Sequence, residues 1–366
     1  MRTAFLRFLL CSGLVFAGVI AVAWLYVANC GMAFLESGYP SWVAKTAILR
    51  DCSLGRIAFF GDSRVDAGVV PMLLPVPASN LGLPAGTAIE TRSAVRRALK
   101  CPTTPRQVVI SLTAEHFGPL DKFFWIDDLR YSFISYNDLW HAENLAAALA
   151  DHRSFTAART PEGLSGRVRD WVYALHFPSV YFASLVQARL IGRYGSNRTR
   201  VAAVLASHGF WPFGASSLDA PRPREPDSFE KFPLQAAEFE QTLGMLNARH
   251  IDVGLLFMPV VQTETVHPAF EKAYLAYMRS MTRRYPNVHL IDPDLPRWPA
   301  RMFVDGEHLT GAGAQLFTEL LAACMADGRI TPGCNLQWQD KGLAVSTPAP
   351  PQQSREQPGR IPRAPG

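Results

Sequence analysis

Residues 56–64 read Arg56-Ile57-Ala58-Phe59-Phe60-Gly61-Asp62-Ser63-Arg64, a short apolar run that stops abruptly at a glycine, an acid and a serine. Four or five large apolar residues bounded by polar or glycine positions are the pattern of a strand buried on both faces. Three further runs share it: 107–112 (QVVISL), 251–258 (IDVGLLFM) and 287–291 (NVHLI). Between them, 87–99, 233–249, 268–285 and 311–325 carry apolar residues at three-to-four spacing, which predicts amphipathic helices. Strand, helix, strand in this order implies an α/β fold: a parallel sheet with helices on both faces, in three layers. In such a sheet ligands bind at the carboxyl ends of the strands, so the turn after Phe60 is the first place to look for chemistry.

The alternation fails between 119 and 232, where aromatic and mixed helical stretches such as Phe123-Phe124-Trp125 and 171–193 end in the proline-rich 221–226. This reads as one large, mostly helical insertion, serving either as packing on the sheet edge or as the lid or groove of a site. The domain is expected to span 55–340, after a juxtamembrane connector at 29–54 and before a proline-rich tail at 341–366 expected to be disordered. Asn197-Arg198-Thr199 matches a glycosylation sequon but carries no assigned role.

The N-terminus adds a membrane element. From Phe8 to Ala28 no residue is charged, a length sufficient for one bilayer-spanning helix, and the next acid or base after Arg7 is Glu36. A cleavage site at Ala21-Val22-Ala23 would make it a signal peptide, but the apolar run continues through Trp24, Leu25 and Tyr26, which favours an uncleaved anchor over residues 1–28. A lipoprotein signal at Cys30 is poorly supported, because Val27-Ala28-Asn29 lacks the expected leucine and small residue. Arg2 and Arg7 precede the span and no base follows it until Lys45, so the positive-inside rule keeps the N-terminus in the cytoplasm and exports the rest.

The formal charge of +5 sits in the two ends: Arg2 and Arg7 at one, and Lys341, Arg355, Arg360 and Arg363 against Glu356 at the other. The body between them is neutral, which argues against nucleic acid as a partner. Six cysteines suit an exported protein. Cys11 lies in the span and Cys30 at its exit, leaving Cys52, Cys101, Cys324 and Cys334 either as two disulfides, with Cys324–Cys334 the favoured pair, or as buried thiols. No zinc-ligand spacing, phosphate loop or dinucleotide fingerprint occurs, so no metal and no cofactor is expected.

Ser63 at the end of the first strand would present its hydroxyl, and its own N–H, at the ligand face; alternatively it merely starts a helix. A second element changes the balance. Asp305-Gly306-Glu307-His308-Leu309 precedes the last amphipathic helix, where His308 can act as general base to Ser63 and Asp305 can hold the imidazole tautomer. With Gly61-Asp62-Ser63, Asn80-Leu81-Gly82 and Asp305-x-x-His308 in this order, the chain resembles the SGNH (GDSL-type) hydrolase superfamily over about 55–112 and 235–326. The resemblance implies a flavodoxin-like three-layer fold and a triad of Ser63, His308 and Asp305. It also implies an oxyanion hole built from the N–H groups of Ser63 and Gly82, with Gly61, Asp62 and Asn80 as the surrounding framework.

One departure is visible. The family's third block supplies an Asn that also donates to the oxyanion, whereas the third strand here continues Leu112-Thr113-Ala114-Glu115-His116. Thr113, or a group from the insertion, is expected to substitute, or the enzyme is slow on simple esters. Glu115 and His116 either face the site or start a helix. Arg64 stands where the usual signature has Leu, and either pairs with Asp66 or orients a sugar hydroxyl or anionic substrate. A Gly-Asp-Ser-Arg variant after one membrane span is similar to bacterial envelope SGNH proteins that act beside a membrane-bound O-acyltransferase. The resemblance therefore implies a periplasmic domain on the inner membrane, acting as acyltransferase or esterase on a polysaccharide. A non-catalytic glycan-binding or scaffold subunit of a polysaccharide complex is the alternative.

Overall fold

The structure is a computed structural model that describes residues 2–155, 166–214, 228–262 and 267–338. The proline-rich 221–226 and the tail 341–366 lie outside the described residues. Helix α1 (Arg2–Asn29) is followed by a single turn α2 (Gly31–Phe34) and by α3 (Tyr39–Arg50). Then come β1 (Ile57–Gly61), α4 (Ser63–Gly68), β2 (Ala78–Gly82), α5 (Ala88–Ala98) and β3 (Gln107–Ser111). The inserted region contains α6 (Tyr136–Ala148), α7 (Gly166–Ala174), α8 (Phe182–Gln187) and α9 (Tyr194–Ala206). The sheet then resumes with α10 (Pro233–Ala248), β4 (Asp252–Leu255), the short β5 (Val260–Val261), α11 (Pro268–Arg284), β6 (Val288–Leu290), β7 (Arg297–Trp298) and α12 (Gly311–Ala323).

Five strands form one parallel sheet in the order β2-β1-β3-β4-β6. Every residue of β1, β2 and β3 is buried, as expected for a sheet covered on both sides. Alternate residues of β1 serve the two layers. Ala58 and Phe60 pack into the core that contains Ile89 and Val95 of α5 and Leu243 of α10, while Ile57 and Phe59 join the core that contains Phe317 and Leu321 of α12. After β1 the chain runs to one side for β2 and to the other for β3, which opens the crevice of a topological switch point at the carboxyl end of β1.

The 29–54 stretch is more than a connector. Trp42, Lys45, Ile48 and Leu49 of α3 are buried in the domain, and α9 of the insertion packs along α3. The Asn197 amide donates to the carbonyls of Met32 (3.1 Å) and Leu35 (3.0 Å), which buries the would-be sequon as a tie between insertion and connector. Glu36 accepts from Arg130 (2.8 Å) and from the Ser184 hydroxyl, closing the same seam. Both cysteine pairs are disulfides, Cys52–Cys101 and Cys324–Cys334. In α1, Thr3–Asn29 is long and apolar enough to cross a membrane.

Candidate active site

The turn after β1 is shaped by Gly61. At φ 148° a side chain is disfavoured, and a Cβ there would lie 1.8 Å from the Ser111 carbonyl oxygen, so only glycine lets β1 end this close to β3. Asp62, fully buried, caps α4: its carboxylate accepts from the Arg64 N–H (2.9 Å) and from the Thr113 N–H (2.9 Å), tying the turn to the chain beyond β3. Ser63 is thereby the first residue of α4, at the mouth of the crevice.

Asn80 fixes the helix from the other side. Its amide donates to the carbonyls of Val65 (2.7 Å) and Val69 (2.8 Å), and its oxygen accepts from the Gly82 N–H (3.0 Å). The Gly82 N–H is therefore engaged and is not the expected oxyanion donor. Gly82 instead allows close approach, since a Cβ would meet the Asp66 nitrogen at 2.6 Å. The turn that follows β2 lines the same groove as Ser63. Leu83 O accepts from Gly86 N (2.9 Å), and Ala85 sits at φ 54° in the groove that Ser63 also lines, its N–H without a hydrogen-bond partner among the described residues. Sequence reading missed Ala85 because the positive φ, not the residue type, marks it.

His308 and Asp305 reach Ser63 from the loop before α12. His308 Nε2 lies 2.8 Å from Ser63 Oγ, and Nδ1 lies 2.9 Å from Asp305 Oδ2. Burial would raise the Asp305 carboxyl, but hydrogen bonds from the His308 ring and from the N–H groups of Glu307 and His308 (2.8 Å each) outweigh it and hold the group well below the usual carboxylate range. Phe213, from the end of the insertion, stacks on the His308 ring at 4.2 Å between centroids, with 7° between the planes. Ser63 and two residues of the late loop, His308 and Asp305, thus stand in line as hydroxyl, imidazole and carboxylate, the arrangement that a nucleophile, base and orienter would need.

The groove at Ser63 has a volume of about 470 Å³. The insertion supplies one wall, including Phe123, Asp127 and Phe213, so it both packs on the domain and shapes the site. Four carboxylates line the groove, Glu115, Asp121, Asp127 and Glu307, while no lysine or arginine appears among the described lining residues. Burial pushes Asp127 up to about 6, and burial with the neighbouring Glu115 charge raises Glu307. Glu115 and His116 both reach the groove. Thr113 does not supply the missing donor: its N–H is bound by Asp62 and its hydroxyl lies 3.2 Å from the Glu115 carboxylate.

Arg64 does not pair with Asp66. Residues two apart on a helix point to different faces, and Arg64 Nη2 instead lies 3.6 Å from Glu115 and 3.8 Å from Glu307. Asp66 faces inward, where the buried Lys45 of α3 donates to its carboxylate and to the Gly82 carbonyl. Burial pushes the Asp66 carboxyl up and the Lys45 ammonium down, against their mutual attraction. Among the described residues no group of three or more His, Cys, Asp or Glu side chains is placed to hold a metal ion.

Comparisons with protein-family models, with curated proteins and with solved structures find no match to this chain.

Proposed function

We propose that this protein is an exported, membrane-tethered serine enzyme of SGNH type that transfers or hydrolyses O-acyl groups on a cell-envelope polysaccharide. The observation that carries the reading is the chain Ser63 Oγ, His308 Nε2, His308 Nδ1, Asp305 Oδ2, with spacings of 2.8 and 2.9 Å. Ser63 Oγ attacks the carbonyl carbon of an acyl ester while His308 Nε2 takes the hydroxyl proton. Asp305 holds Nδ1–H and stabilises the imidazolium. The oxyanion settles on the N–H groups of Ser63 and Ala85. As the intermediate collapses, His308 returns the proton to the leaving alkoxide and Ser63 keeps the acyl group. A sugar hydroxyl or water then repeats the steps in reverse order, giving up its proton to His308 and releasing Ser63.

The transferase reading is favoured by α1 and by Arg64 after the nucleophile. Two disulfides fit an oxidising compartment outside the cytoplasm, with α1 anchored in the inner membrane and its N-terminus inside. A groove lined by four carboxylates favours a neutral or amine-bearing glycan over a polyanion. A membrane-bound O-acyltransferase that hands over the acyl group is the partner this reading implies. The test is intact mass after incubation with an acetyl-ester donor, together with fluorophosphonate labelling. A Ser63 adduct is expected in wild type and none in Ser63→Ala. An unlabelled wild-type Ser63 with glycan binding intact would instead support the scaffold alternative, which the absent third oxyanion donor favours.

A further inference from the structure

The last turn of α1 does not leave the domain as a free tether. Trp24 Nε1 donates to the Leu175 carbonyl (2.8 Å) and the Trp24 ring meets Phe177 edge-on, while the Tyr26 hydroxyl donates to the Leu190 carbonyl (2.8 Å). Trp and Tyr at the end of an apolar span are the residues that settle at a bilayer's headgroup level. Both are bonded to the inserted region, so that region is held at the level where α1 would emerge from the membrane.

The same region displays apolar side chains that its own packing does not explain. Phe182 is 69% exposed, Ile191 67% and Val186 61%, and Trp171, Leu175 and Leu190 are exposed as well. An apolar groove of about 370 Å³ runs between α7 and Phe177, directly beside Trp24. Isolated surface apolar residues are ordinary, but a set gathered around the exit of an apolar span is not. The charge of the segment is equally one-sided: residues 166–206 contain six arginines against the single Asp170. Exposed large apolar residues flanked by arginines on both sides in the chain are the composition of a surface that lies in a lipid interface.

We propose that α7, α8 and the 189–191 turn form a membrane-embedded collar around the exit of α1, dipping into the outer-leaflet headgroup region of the bilayer. The collar commits the domain to one orientation on the membrane and explains why the insertion is stitched to residues 30–37 by Asn197, Arg193 and Glu36: the anchor, the collar and the domain move as one body. It rests on α1 crossing the bilayer and is independent of the chemistry at Ser63.

The test uses the full chain reconstituted into phosphatidylcholine and phosphatidylglycerol vesicles that carry a photoreactive diazirine on the acyl chain, with labelled peptides mapped by mass spectrometry. Label is expected on α1 and also within 168–191. In the triple variant Phe182→Asp, Val186→Asp, Ile191→Asp, label within 168–191 should fall at least about fivefold while label on α1 persists. Retention of both disulfides and of the helical circular dichroism would show that the variant is folded. Label on α1 alone in the wild type overturns the collar. Label on neither segment overturns the membrane reading of α1 as well.

Discussion

At the residue scale the candidate site depends on groups that hold one another in one geometry. Asp305 orders its own loop through the N–H groups of Glu307 and His308 and meets Ser63 only through the His308 ring. Under the proposed mechanism Asp305→Asn, whose side-chain oxygen can still accept those N–H bonds, should keep the fold while slowing acylation of Ser63 about ten-thousandfold, the cost of a misassigned imidazole tautomer. Fluorophosphonate labelling rates read this directly, and a loss below about tenfold would remove Asp305 from the proposed triad. Asp127 gives a pH signature. Burial pushes it up to about 6, above its unfolded value of roughly 4, so the fold prefers its protonated form. Its contribution to stability is complete below about pH 4 and is lost as pH rises through 6. Asp127→Asn should therefore be more stable than wild type at pH 7, with the advantage vanishing towards pH 4; thermal unfolding across that range tests the sign, and a constant difference contradicts it.

At the scale of elements, the turn from β1 into α4 is clamped by buried polar groups drawn from distant parts of the chain. Asn80 holds α4 on β2, and Lys45 of α3 reaches Asp66 of α4 and the Gly82 carbonyl. Removing one partner of a buried ion pair strands the other charge, so Lys45→Met should cost about 3 kcal/mol or more in unfolding free energy. Lys45→Met combined with Asp66→Leu should cost clearly less than Lys45→Met alone, because both charges leave together. Additive losses in that cycle would show that the pair does not brace the turn. The strands and helices of the sheet layers were largely legible: 56–60, 107–112 and 287–291 match β1, β3 and β6 within a residue or two. β2 was not, because Ser79 and Asn80 interrupt its apolar pattern and are paid for by tertiary partners, Leu54 for Ser79 and α4 for Asn80. β4 ends at Leu255 although the apolar run continues to Met258: Leu256 N–H still donates to Ile110 of β3, and Leu256 to Met258 stay buried past the end of the strand.

For the whole molecule, covalent ties join segments far apart in the sequence. Cys52–Cys101 closes 49 residues and links the end of α3 to the end of α5, whereas Cys324–Cys334 closes 10. Loop-closure entropy assigns about 4 kcal/mol to the first and about 3 kcal/mol to the second. Replacing Cys52 and Cys101 together by serine should lower the unfolding midpoint more than replacing Cys324 and Cys334, as measured on the oxidised full chain; the reverse order would mean that the α3–α5 tie is not the stronger constraint. The favoured pair from sequence was the short one, because nearness along the chain is visible there and nearness of α3 to α5 is not.

The sequence by itself determined the apolar rhythm of the layers, the uncharged N-terminal span and the residue types that meet as Ser63, His308 and Asp305, because these follow from local periodicity and chemistry. Only the tertiary structure decided which donors are free. Gly82 offers a backbone N–H until Asn80 is seen to occupy it, and Ala85 looks like an ordinary loop residue until its backbone is seen at φ 54° in the groove that Ser63 also lines. Arg64 and Asp66 look like a pair until α4 turns them to different faces and Lys45, from a segment read as a connector, arrives at Asp66. Hydrogen-bond partners, burial and ion pairing depend on which surfaces meet in space, and a linear pattern carries that information only where the partners are also neighbours along the chain.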